Sequence, residues 1–197
     1  MDYSLAPVST PIRKTLAGFD SMLSFSLNGL SKSAGMPQMK LGWIVINGPA
    51  SDVAEASHHL ELILDTYLSV GTPVQQVLPD LFRIGKTIQH QLQKHMCINW
   101  EAANHILQNT AAQCLRVEGG WSAPVRLPNM QSEDSWLKTL LAEQSVVVQP
   151  GYFFDMPAEP HIVVSLITPP RDFHKGLTRL RTLVSRFIQA RTSVLSR

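Results

Sequence analysis

Ser26–Trp43, SLNGLSKSAGMPQMKLGW, is the stretch that decides how this 197-residue chain is read. It sets Lys32 on a short turn rich in glycine and serine, places a second cation at Lys40, and leads into the apolar run LGWIVI. That run predicts a buried strand over Leu41–Ile46. Ser24–Leu27 predicts a strand before it, with Gly29–Met39 as the connection. A primary amine held between two sheet elements, with a cation eight residues on, suits a covalent aldehyde cofactor that carries a phosphate. The ordinary reading of a lysine beside Gly and Ser is a solvated turn residue; what separates the two is Gly29, Gly35, Pro37, Lys40 and Gly42-Trp43 standing in step with Lys32.

With those residues in register, the segment resembles the pyridoxal-phosphate lysine segment of class I/II aminotransferases (fold type I). In that family a small residue–lysine pair is followed eight residues later by arginine and then by a glycine–aromatic pair. Ser31-Lys32 and Gly42-Trp43 match, and Lys40 stands where the family usually has arginine. The resemblance implies that Lys32 forms a Schiff base with pyridoxal 5'-phosphate and moves protons once freed by substrate. Such a lysine must be partly neutral, against a reference pKa of about 10.4. The resemblance also implies that Lys40 binds the cofactor phosphate, with Ser31 and Ser26 as hydrogen-bonding candidates. For both serines a purely structural turn role is the competing reading. An ammonium at position 40 still neutralises phosphate but lacks the bidentate fork of guanidinium.

The resemblance extends along the chain. DTYLSVGTPVQ is similar to the segment before the family's long interdomain helix, EGGWSAPVRLP to a Gly-Gly-aromatic strand, and VVVQPGYFFD to a small-domain strand and turn. The implied fold is α/β and aspartate-aminotransferase-like but truncated. Residues 1–79 would be the C-terminal part of the large cofactor domain, 80–114 the long interdomain helix, and 115–197 a small α/β domain. MDYSL resembles residues just past the family's acidic strand. The ring-pairing Asp, the stacking aromatic, the Asn at the ring oxygen and the glycine-rich phosphate loop would therefore all lie upstream, and Asp2 falls beyond the functional position. The chain is expected to be incomplete as an enzyme. The alternative is a catalytically silent module that pairs with a separate N-terminal half or a homologous partner. Val163 stands where the family carries the arginine that grips the substrate carboxylate, which leaves Arg126 and Arg171 as candidate replacements. Amino-acid and keto-acid substrates and a homodimer are implied by the resemblance alone, as are Tyr67 and Thr72 near a neighbouring subunit's cofactor; helix packing and capping are the simpler roles for that pair.

Composition sets the outer limits. The chain is 44% hydrophobic and 16% charged, with a net charge of +2, so it can bury a sizeable core and carries no strong field for nucleic acid or membrane. No apolar run approaches the roughly 18 residues of a membrane span, and the N-terminus lacks a signal-peptide pattern, so a cytoplasmic location is expected. The C-terminal segment from Arg171 holds seven Lys/Arg against one acid, Asp172. Leu177, Leu180, Val184 and Phe187 alternate with them, as in an amphipathic surface helix rather than a nucleic-acid footprint.

The remaining patterns predict helices from Ser51 as N-cap to about Tyr67, and along the stripe Leu81, Ile84, Ile88, Leu92, Met96, Ala103, Ile106 to about Ala112. Thr72-Pro73-Val74-Gln75 has the form of a capping box. Ser132 caps a predicted helix over Glu133–Glu143, and Thr168 opens a final one to about Ala190. CLRVE, APVRL, SVVVQP, YFFD and HIVVSLIT predict strands. Cys97 and Cys114, if both on one long helix, would be roughly 25 Å apart at about 1.5 Å per residue, too far for a disulfide. None of the seven histidines has metal-ligand spacing.

Overall fold

The computed structural model describes Leu5, residues 15–156 and residues 160–195. Apart from Leu5, the MDYSL reading, Asp2 included, lies outside these residues. The chain is mixed α/β and divides into two compact units between Gln91 and Leu92, with Leu5 joined to the second.

In the first unit, β1 (Ser24–Gly29) and β2 (Gly42–Asn47) form an antiparallel hairpin, paired from Ser24↔Asn47 to Gly29↔Gly42. Pleating puts Ser24, Ser26 and Asn28 on one face with Trp43, Val45 and Asn47. The other face carries Phe25, Leu27, Ile44 and Ile46. The connection holds α1 (Leu30–Ser33) and a 3₁₀ turn, Pro37–Met39. Helix α2 (Ala50–Asp65) starts two residues earlier than predicted. Its N-cap is Pro49, and the Ser51 hydroxyl donates to Asp52 instead of capping. Its apolar stripe is half-buried only at Val53, Ala56 and Leu60; Ile63, Leu64 and Tyr67 are exposed. Helix α3 (Thr72–Gln76) lacks the predicted capping box, because Gly71 is the N-cap and the Gln75 amide donates to the Val70 carbonyl. The buried core here is small: Leu30, Ala34, Met36, Leu41 and Leu81.

Helix α4 (Leu78–Leu107) keeps one buried stripe through Leu81, Met96, Asn99, Ala103 and Ile106. Ile84, placed on that stripe by its spacing, is 50% exposed, and Gly85 takes the inward place. A Cβ added at Gly85 would lie 2.8 Å from the Ala34 Cβ, so the glycine lets α4 approach α1. Helix propensity alone favours Ala over Gly by about 1 kcal/mol. Overpacking costs about 1–3 kcal/mol and decides the sign here. Gly85→Ala is therefore expected to destabilise the first unit, and Gly85→Ala with Ala34→Gly to recover most of the loss. Urea unfolding of the single and double variants measures both.

The second unit is built on a four-stranded antiparallel sheet in the order β3-β4-β6-β5. These strands are β3 (Gln113–Cys114), β4 (Ser122–Arg126), β5 (Gln149–Pro150) and β6 (His161–Ser165). Ala123, Val125, Ile162 and Val164 share the core with α5 (Glu133–Gln144) and α6 (Pro170–Leu195), where Trp136, Leu140, Phe173, Leu177 and Leu180 are buried. Ser132 caps α5 as its sequence predicts, accepting from the Ser135 N–H at 3.3 Å. The Glu133 carboxylate then accepts from the backbone N–H groups of Tyr152 (3.1 Å) and His161 (2.9 Å). Those contacts, and a left-handed Asp155, curl YFFD into a 3₁₀ turn, Gly151–Phe154, where the sequence predicts a strand. The predicted strand SVVVQP pairs only at Gln149 and Pro150. Asn99, 1% exposed on α4, donates to the carbonyls of Leu166 (2.8 Å) and Thr168 (2.7 Å), pinning the turn that leads into α6. Cys97 lies on α4 and Cys114 on β3, so the helical spacing drawn between them does not apply; both are free. Burial pushes the Cys114 thiol up to about 11, which leaves it protonated near neutrality.

Candidate functional site

The Lys32 turn is held by its backbone before any side chain acts. The Leu30 N–H donates to the Leu41 carbonyl at 3.0 Å, closing the neck of the hairpin. The Leu30 carbonyl accepts from Ala34 (3.1 Å) and Met36 (3.0 Å), and the Ser33 hydroxyl donates to the Gly29 carbonyl at 2.7 Å. The Gln89 amide of α4 donates to the Ser33 carbonyl, fixing the C-terminal end of α1. Two glycines permit the neck. A Cβ at Gly29 would lie 3.0 Å from the Leu41 oxygen and 3.1 Å from the Gly42 Cα, and one at Gly42 would lie 3.1 Å from the Asn28 oxygen.

This frame sorts the side chains. Leu30, Ser33 and Ala34 turn inward and are buried, which leaves Lys32 exposed on the outer side of α1 and Ser31 half-buried. Lys40 is exposed and left-handed (φ 52°), immediately before the closing Leu41. Ser31, Lys32 and Lys40 therefore share one connection, with Ser31 and Lys40 each adjacent to the Leu30–Leu41 hydrogen bond. Ser26 stands apart. It is half-buried opposite Val45, three pairs up the ladder from Gly29–Gly42, roughly 10 Å at about 3.4 Å per residue. Trp43 packs edge-on against Phe82 with ring centroids 5.4 Å apart. The contact from Gln89 to Ser33 spans 56 residues, so no local spacing could have announced it.

A phosphorylated aldehyde fits what this turn offers. An exposed amine stands on a helical turn tied at both ends, and a cation on the same connection can meet an anion. Both depend on a neck that a Cβ on Gly29 would crowd.

In the second unit, Val163 is 4% exposed between Pro124 of β4 and Gln149 of β5. Register places Arg126, paired with His161, on the same sheet face as Val163 and diagonal to it, a spacing of about 7–8 Å. Its guanidinium donates to the Gln113 side chain at 2.5 Å. Arg171 lies beyond the strand, in the first turn of α6. Among the described residues there is no cluster of three or more His, Cys, Asp or Glu suited to a metal, and no helix long and apolar enough to cross a membrane.

No family model matches the sequence. The chain is 23% identical over 169 residues to the alanine aminotransferase of Mycobacterium tuberculosis H37Rv, covering 81% of this chain and 39% of that protein. In structure it is similar to an aminotransferase from Escherichia coli, with a TM-score of 0.72 and 18% identity over 93% of this chain and 47% of that one. It is also similar to LysN, the α-aminoadipate aminotransferase of Thermus thermophilus, solved in complex with N-(5'-phosphopyridoxyl)-L-leucine (TM-score 0.65, 16% identity, 84% and 43% covered). The chain spans about two-fifths of the length of the curated relatives it matches. Its sequence is similar to those of aminotransferases, and it carries an aminotransferase fold over about two-fifths of their length.

Proposed function

We propose that this chain serves a pyridoxal-phosphate-dependent aminotransferase, passing an amino group from an amino acid to a keto acid through a Lys32 Schiff base. The observation that carries the reading is the exposed Lys32 amine on a turn closed at both ends, with Lys40 on the same connection. When bound, pyridoxal phosphate supplies an aldehyde and an electron-withdrawing ring. Lys32 Nζ is then the point of attachment and, once released, the group that holds and moves a proton. Lys40 and the Ser31 hydroxyl meet the phosphate, and Ser26 is a more remote polar contact on the same hairpin. In this reading residues 1–79 belong to the cofactor domain, 80–114 to the interdomain helix and 115–197 to the small domain, and the working enzyme is a homodimer. Borohydride reduction of a cofactor-treated sample, followed by peptide mapping, tests the assignment. The tag is expected on Lys32, and a tag on any other lysine overturns it.

Carboxylate recognition needs a cation that Val163 does not supply, and Arg126 is a cation on the same sheet face. A hydrogen bond to a charged group contributes about 1.5–3 kcal/mol. Arg126→Ala is therefore expected to raise KM for a carboxylate-bearing substrate roughly ten- to a hundredfold, with a smaller change in kcat. Steady-state kinetics of the variant, in whatever assembly turns over, checks this.

A second reading rests on the hairpin. Leu27 (74% exposed), Phe25 (42%) and Ile44 (40%) lie together on one face, an apolar patch of the kind that marks an interaction surface. On this reading the chain is silent alone and acts only with a separate N-terminal half or a homologous partner. Transaminase assays with and without a co-expressed upstream half separate the two, since turnover by the lone chain removes the silent module.

A further inference from the structure

The turn that carries Lys32 is too short to hold itself. Helix α1 has four residues, and isolated helices shorter than about 12–15 residues are marginal in water. The bond from the Leu30 N–H to the Leu41 carbonyl ties its start to the neck of the hairpin. Bonds from the Ser33 hydroxyl and from the N–H groups of Ala34 and Met36 run back to Gly29 and Leu30. They close the turn on itself and set no direction for its far end. That end is met from outside the connection by α4.

Leu81, Gly85 and Gln89 recur at every fourth residue and so share one face of α4, within about 80° at 100° per residue. Each meets the connection at a different height. Leu81 is buried with Leu30, Ala34, Met36 and Leu41. Gly85 packs on Ala34, so close that a Cβ would stand 2.8 Å from the Ala34 Cβ. Gln89 is half-buried and donates its side-chain amide to the carbonyl of Ser33, a buried residue.

Lys32 stands between the two anchors. Leu30, tied to the neck, precedes it in α1, and Ser33, tied to α4, follows it directly. Lys40 adjoins Leu41 and takes its place from the neck. The distance from Lys32 to Lys40 therefore depends on an anchor that Lys40 does not share.

We infer that Gln89 is a positioning residue for the Lys32 amine. Its bond to the Ser33 carbonyl fixes the separation of Lys32 from Lys40, and so matches the pair to a ligand carrying an aldehyde and a phosphate on one rigid ring. The inference rests on the roles proposed for Lys32 and Lys40. An aldehyde without a phosphate reacts with Lys32 whatever that separation is; one with a phosphate must satisfy both cations at once. A misplacement of about 1 Å costs roughly 10²-fold where reaction depends on such alignment.

The full chain is equilibrated with pyridoxal phosphate or with pyridoxal, which lacks the phosphate. Amine and aldehyde condense with loss of water, and borohydride then fixes the C–N bond by hydride transfer. Peptide mapping compares the tag on Lys32 with that on Lys138, an exposed lysine of α5. In the wild type the phosphate is expected to raise the Lys32-to-Lys138 ratio about tenfold over pyridoxal. Gln89→Met keeps the length and helix propensity of the side chain but removes the donor. It is expected to abolish that advantage, to leave pyridoxal tagging unchanged, and to speed amide exchange at Ala34 and Met36 roughly tenfold. Gln89→Arg restores an N–H at the same distance along the side chain and cannot itself condense. It is expected to recover the advantage and slow the exchange again, and circular dichroism verifies that both variants stay folded. A phosphate advantage that survives Gln89→Met overturns the inference, as does an arginine variant that fails to slow the exchange. Absence of the advantage in the wild type removes the roles of Lys32 and Lys40 instead, and the inference with them.

Discussion

Lys32→Ala is expected to leave the chain folded and to abolish covalent capture of pyridoxal phosphate. The side chain is exposed, so truncation opens no cavity, and alanine is the best helix former for a position inside α1. Bonds from Leu30, Ser33, Gly29 and Gln89 hold the turn and remain in the variant. The condensable amine is lost. Lys32→Arg sharpens the test, because guanidinium keeps the positive charge yet stays protonated and cannot condense. Both variants should lose the borohydride-fixed tag, and circular dichroism should match the wild type. In an assembly that turns over, loss of proton transfer alone predicts a fall of about 10²–10⁴-fold in kcat. Equal capture by wild type and Lys32→Ala would remove Lys32 from the chemistry.

The largest structural effect is expected at Trp136. It is fully buried on α5, its ring lies 4.9 Å from that of Phe187, and its indole N–H donates to the Pro128 carbonyl at 3.3 Å. Trp→Ala in a core costs about 3–5 kcal/mol through lost burial and the cavity left behind. Domains of this size are stable by about 5–15 kcal/mol. At roughly 4–8 °C per kcal/mol the transition of the second unit should fall by about 15 °C or more, read from the fluorescence of Trp100 and Trp121. Trp136→Phe keeps most of the buried area and should lose less than half as much. A small shift for Trp136→Ala would mean that the surrounding side chains collapse into the space.

Elements whose signals are local are legible in the sequence alone. The hairpin strands, the long apolar stripe of α4, the Ser132 cap and the amphipathic α6 all follow from period or capping chemistry. The failures share a cause, which is competition from partners distant in sequence. YFFD is aromatic-rich and reads as a strand, yet Glu133 takes the Tyr152 N–H from 19 residues away and the segment curls. Ser51 looks like a cap but lies one residue inside its helix. Ile84 fits the stripe, yet close approach to Ala34 selects Gly85. In the candidate site, the shared connection of Lys32 and Lys40 was readable because they lie eight residues apart within one turn. The separation of Ser26, and the placing of Arg126 on the face of Val163, needed strand register, which no single segment encodes.

The left-handed backbone at Lys40 restricts which residues can occupy that position at all. A β-branched side chain is excluded by its own sterics, whereas glycine would relax the turn by roughly 1–2 kcal/mol. The chain keeps a charged residue where an uncharged one would be more comfortable. If Lys40 meets a phosphate as proposed, natural variation at this codon should run between lysine and arginine; without that duty it should drift to glycine or asparagine, which suit the left-handed backbone.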